Sequence, residues 1–163
     1  MIMGLPTYTF VHVVISLAGI VSGFVVLFGM VAGQRLPGWT AIFLLTTIAT
    51  SATGFGFPFE RLLPSHVVGV VSLVVLALAL FARYGRRLAG PWRWLYAIAA
   101  GAALYLNVFV LIVQLFRKVP VLIDLAPTGS EPPFVVTQLA VLVLFVVFTI
   151  AAGLGFRREV ARA

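Results

Sequence analysis

His12-Val13-Val14-Ile15-Ser16-Leu17-Ala18-Gly19-Ile20-Val21-Ser22-Gly23 lies in the outer part of the first long apolar segment. At helical spacing His12, Ser16, Gly19 and Gly23 (i, i+4, i+7, i+11) fall on one face. Lipid offers no partner to a stripe of small residues ending in an imidazole, so the stripe is a surface for other helices. The segment therefore reads as a membrane helix packed inside a bundle, and the remaining chain supplies its neighbours.

Composition agrees. Of 163 residues, 63% are hydrophobic and 9% charged, whereas a soluble domain carries about a quarter charged residues. The charges fall in clusters that leave five uncharged stretches: up to Gln34, then 36–59, 62–82, 94–116 and 132–156. Each exceeds the roughly 20 residues that cross a hydrocarbon core as a helix. The expected fold is an all-α integral membrane protein in one domain, 1–163, a bundle of five transmembrane helices at about 7–32, 39–57, 64–82, 92–116 and 134–156. An apolar outer loop, 117–133, with a short interfacial turn of helix, would lie across the bundle end as a lid. Ser130 is the expected N-cap of the fifth span.

Lys and Arg counted by alternate loops set the orientation. One side holds Arg35, the four arginines between residues 83 and 93, and Arg157, Arg158 and Arg162; the other holds Arg61, Arg117 and Lys118. Positive-inside places the N-terminus outside and the C-terminus in the cytoplasm, in the inner membrane if the chain is bacterial. Residues 1–10 have no basic start and no small-residue cleavage site follows, so the first helix is expected to remain. The net charge of +7 belongs with anionic lipid headgroups rather than nucleic acid.

The absence of cysteine excludes disulfides, thiolate metal sites and iron–sulfur ligation. No charge lies inside a span, which sets aside carboxylate proton relays and ion-coupled transport. Neither a Gly-x-Ser-x-Gly elbow nor a phosphate loop occurs, and no pseudo-repeat relates the spans. No residue is designated catalytic.

Polar residues crowd the outer half: His12, Thr50, Ser51, Thr53, His66, Gln114 and Gln138, against Thr40, Ser72 and Thr149 in the inner half. Asn107 lies near mid-membrane on a face shared by Tyr96, Ala100, Ala103 and Gln114; Gln138, Leu142, Phe145, Thr149 and Gly153 form the inward face of the fifth span. A pocket opening outward accounts for this asymmetry. Most of the second span's hydroxyls are expected to bond back to carbonyls one turn earlier. The chain's two histidines start helices 1 and 3 from the same side, and facing imidazoles can clamp haem b axially. In that reading His12 and His66 ligate the iron, Arg61, Arg117 or Lys118 pair with the propionates, and electrons pass between quinol in the bilayer and an outer acceptor. Alternatives are a divalent metal on His12 and His66 with Glu60, Asp124 or Glu131, and a quinone headgroup held by His and Gln side chains. From a different class comes an accessory subunit packed in a larger membrane complex, or a homo-oligomer joined through Gly19 and Gly23.

Overall fold

A computed structural model describes residues 6–57 and 64–160. Glu60 and Arg61 lie outside the described residues. Among those described there is no strand. The elements are α1 (Thr7–Val31), α2 (Pro37–Gly54), α3 (Pro64–Leu80) with a π-helical turn at Phe81–Gly85, α4 (Trp92–Lys118), the short α5 (Pro120–Leu125) and α6 (Pro132–Val160). Four helical segments are long and apolar enough to cross a membrane: Thr7–Val31, His66–Gly85, Trp92–Lys118 and Pro132–Phe156. The hydroxyl-rich α2 falls short of that apolarity. Its 18 residues still extend about 27 Å at 1.5 Å per residue, close to a hydrocarbon core's thickness.

The boundaries move from their expected places for local reasons. Pro37 stands in the first turn of α2, where its missing N–H is no loss, and the helix starts two residues early. It ends at Gly54, three residues before the expected Phe57, in a turn closed by Phe55 and Gly56 amides on Ala52 and Thr53 carbonyls. The third span does not stop in a plain basic loop. It widens into the π-turn, closed by Arg86 N–H on Phe81 C=O at 2.8 Å. Glu131, not Ser130, stands immediately before α6: its carbonyl accepts the Phe134 and Val135 amides, both at 3.1 Å. Its carboxylate takes the Thr128 and Ser130 amides, both at 3.0 Å.

α1 packs most extensively on α2, then on α6 and α4; α3 packs on α4 and α2, and α6 on α4. Thus α1 and α3 stand on either side of α2 and share no packed interface of their own. Cross-helix pairs set the directions. Trp94 covers Gly153 near one end of α4 and Phe116 meets Phe134 at the other, so α4 and α6 are antiparallel. Two ends result: a histidine end, with the start of α1 and the finish of α2, and an arginine end, with the α1–α2 and α3–α4 connections.

Glycines set the closest approaches. A Cβ on Gly23 would meet Leu104 at 2.5 Å and Phe43 at 2.9 Å; one on Gly19 would meet Thr46 and Thr47 hydroxyls at 3.2 Å and Asn107 at 3.4 Å. Gly19 and Gly23 are therefore buried against α2 and α4 of the same chain, and the seam expected to join two copies is already filled. Leu36 folds over Gly29, and Gly33, at φ +75°, turns the chain out of α1.

Candidate functional site at the histidine end

Tyr8 and His12 are one helical turn apart on α1 and both reach Thr53 near the end of α2. The Tyr8 hydroxyl donates to the Thr53 carbonyl, and His12 Nδ1 lies 2.8 Å from Thr53 Oγ1. The Thr53 hydroxyl hydrogen is already directed at Ala49 C=O, 2.6 Å away. Its oxygen can then only accept, which makes Nδ1 of His12 the donor; in the neutral imidazole Nε2 then carries the lone pair. A hydroxyl partner that fixes a tautomer in this way is what a ligating or proton-accepting imidazole requires. Phe57 meets His12 edge-on at 5.1 Å and Tyr8 at 5.0 Å.

His66, in the first turns of α3, is buried and lies against Phe55 with ring centroids 5.9 Å apart. The Phe55 ring also covers Gly69. Both imidazoles therefore abut the C-terminal end of α2, His12 through Thr53 and Phe57, His66 through Phe55.

The other expected site residues divide. Gln138 is buried and its Nε2 donates to Phe109 C=O at 3.3 Å, while its Oε1 is buried without a partner among the described residues. Gln114 is exposed, as is Leu142, which departs from the inward faces expected for them. Arg117 and Lys118 are exposed in the last turn of α4. Asp124 is exposed on α5, the short helix expected in the outer connection. Leu122 and Ala126 from this connection pack with Ile112, Phe116 and Phe134, covering this end of α4 and α6. Glu131 is engaged with Thr128 and Ser130: some desolvation opposes its charge, but the Thr128 amide and hydroxyl, its own amide and that of Ser130 outweigh it and hold the carboxyl at about 2.

The hydroxyls behave largely as helix chemistry predicts: Ser16, Ser22, Thr46 and Thr53 bond to carbonyls one turn back. Ser51 does not. It donates to Ser72 Oγ across the α2–α3 contact at 3.0 Å, which puts Ser72 level with the outer-half hydroxyls, where the sequence reading placed it in the other half. Asn107 meets Thr47 at 3.5 Å beside Gly19, where α1, α2 and α4 converge. Tyr8 was not among the expected site residues. It sits four positions before His12, and extending the stripe by one turn would have found it.

Among the described residues no group of three or more His, Cys, Asp or Glu could hold a metal ion. No family model matches the chain, and no curated protein or solved structure matches it.

Proposed function

We propose that this is a multi-pass membrane protein that binds a quinone-type redox ligand at its histidine end, with His12 Nε2 accepting the hydroxyl of the reduced headgroup. The observation that carries the reading is the spent Thr53 hydroxyl, which makes Nδ1 of His12 the donor and so leaves Nε2 as the acceptor nitrogen of the neutral imidazole. Tyr8 and Phe57 supply aromatic surface beside that ring. The reading takes five spans, with α2 as the polar one, and the positive-inside orientation, which turns this end outward from a bacterial inner membrane. Organic extraction of the purified protein and titration with a short-chain ubiquinol test it. A headgroup bound one to one, and weakened about tenfold by His12→Phe, is expected for loss of one buried hydrogen bond. Absence of binding, or binding indifferent to that substitution, refutes it.

Haem b on His12 and His66 is the second reading, favoured by the approach of both imidazoles to one end of α2. Phe57 packs on one ring and Phe55 on the other. A Soret band in the dithionite-reduced protein supports it; its absence from protein made with ample haem removes it.

A further inference from the structure

The arginine end carries a second concave feature that owes nothing to the histidines. A recess of about 220 Å³ is lined by Arg35, Arg83, Tyr84, Arg87 and Leu88. No carboxylate lines it among the described residues. By sequence the two connections and the tail assigned to this end carry eight arginines and one acidic residue, Glu159. The Arg83 guanidinium is held in place by rings, 5.5 Å from the centroid of Tyr96 and 5.7 Å from that of Tyr84. Its Nη2 makes a long contact of 3.4 Å to Arg35 C=O, and its Nη1 is buried without an acceptor among the described residues. Thr40 and Arg83 stand beside the fully buried Tyr96, whose hydroxyl also completes no hydrogen bond among the described residues. A buried cationic donor without a well-formed acceptor bond is costly, and an anion or an oxygen-rich group in the recess would satisfy it.

The backbone around the recess is also distorted. Leu36, Arg87 and Leu88 adopt φ of 38°, 49° and 58°, a left-handed conformation that non-glycine side chains resist. The π-turn precedes this stretch, and Leu88 N–H reaches back to Ala82 C=O at 3.0 Å. Arg93 Nε closes the loop on Leu88 C=O at 2.8 Å. These contacts fix the turn that carries Arg83 and Arg87 on one side of the recess, an arrangement that simple snorkelling of arginines into water would not require.

The geometry points to a phosphate-binding site in this recess, with Arg83 and Arg87 as the principal ligands and Arg35 on the rim. Planar guanidinium forks match phosphate oxygens two at a time. The phosphate could belong to the headgroup of an anionic lipid or to free phosphate, and the chemistry of recognition is shared. With the positive-inside orientation this end meets the leaflet where anionic lipids concentrate.

The full chain reconstituted in nanodiscs tests the site. One set of discs contains phosphatidylcholine alone and is titrated with inorganic phosphate by calorimetry. The other also contains phosphatidic acid, and native mass spectrometry reads the lipid that stays bound. Arg87→Gln is expected to weaken binding about tenfold, the loss of one charge-assisted contact. Arg86→Gln removes the same charge outside the recess, where Arg86 lies over Trp92, and is expected to change binding by less than about twofold, since only screened charge is lost. Arg83→Gln tests the buried guanidinium directly; Arg87→Gln keeps the test decisive if Arg83→Gln does not fold. Arg87-dependent binding of inorganic phosphate identifies free phosphate as the source, and Arg87-dependent retention of phosphatidic acid alone identifies lipid. No binding in either set, or equal effects of Arg86→Gln and Arg87→Gln, overturns the site.

Discussion

Gly155→Ala should unfold the crossing of α1 and α6, and its size follows from what the new methyl would meet. An ideal Cβ at this position lies 2.3 Å from Met30 O and 2.5 Å from Val31 O. Both atoms are backbone, so no rotamer change relieves the clash, and the two helices must separate locally. Ordinary overpacking costs about 1–3 kcal/mol, and alanine's better helix propensity returns only about 0.5–1 kcal/mol. With two rigid backbone contacts placing the clash at the upper end of that range, a net loss of ~2 kcal/mol corresponds to a fall in melting temperature of roughly 4–8 °C for a chain of this size, on a scale set by soluble domains. Gly38 provides the matched control. It lies in the first turn of α2 with nothing within 4 Å of a Cβ, so Gly38→Ala is expected to be neutral or slightly stabilising. Circular dichroism melts of both variants and the wild type in one detergent read the difference. If Gly155→Ala melts with the wild type, the close packing of α1 against α6 is refuted.

Three further outcomes follow from single contacts. Histidine-selective ¹⁵N NMR should show His12 protonated at Nδ1, and Thr53→Val should collapse that preference at a cost of about 1 kcal/mol for the lost acceptor; a wild-type Nε2–H tautomer contradicts the assigned bond. The Ser51–Ser72 pair should show a coupling of about 0.6 kcal/mol in a double-mutant cycle with alanine, the average for hydrogen bonds between membrane helices; strict additivity would mean the hydroxyls are not bonded. The Glu131 carboxylate is held at about 2, below its ordinary 4.5, so its contribution to the turn is complete above 4.5 and lost as pH falls towards 2. Amide exchange at Thr128 and Ser130 should accelerate over that window in the wild type and be flat in Glu131→Gln, and a flat wild-type profile would show that the carboxylate does not hold these amides.

Much of the architecture was legible because hydrophobic length and the placement of charge are local properties. The four apolar helices, the break at Pro37, and the short helix after Lys118 all follow from stretches that can be read in isolation. The polar positions were legible in part. Gly19, Gly23, Asn107 and Gln138 face neighbouring helices because lipid cannot satisfy them, whereas Gln114, close to the helix end, is exposed. The α2 boundary was read too far because Phe55 and Phe57 look like continuing apolar helix, although Gly54 and Gly56 end it.

The amino-acid sequence by itself determined that the chain is helical, apolar enough for a membrane over most of its length, and different in charge at its two ends. Only the tertiary structure decided which helices touch. In lipid both the buried and the exposed faces of a helix are apolar, so the periodicity that points a soluble helix at its core is nearly absent here, and only scattered small and polar residues carry direction. Two histidines on the same side could be read as partners, but whether a third helix stands between them is a matter of packing, and α2 does stand there. The arginine recess depends on packing even more. It joins the turn before α2 to the stretch after α3, with Tyr96 of α4 behind Arg83, places far apart in the chain that come together when the bundle closes.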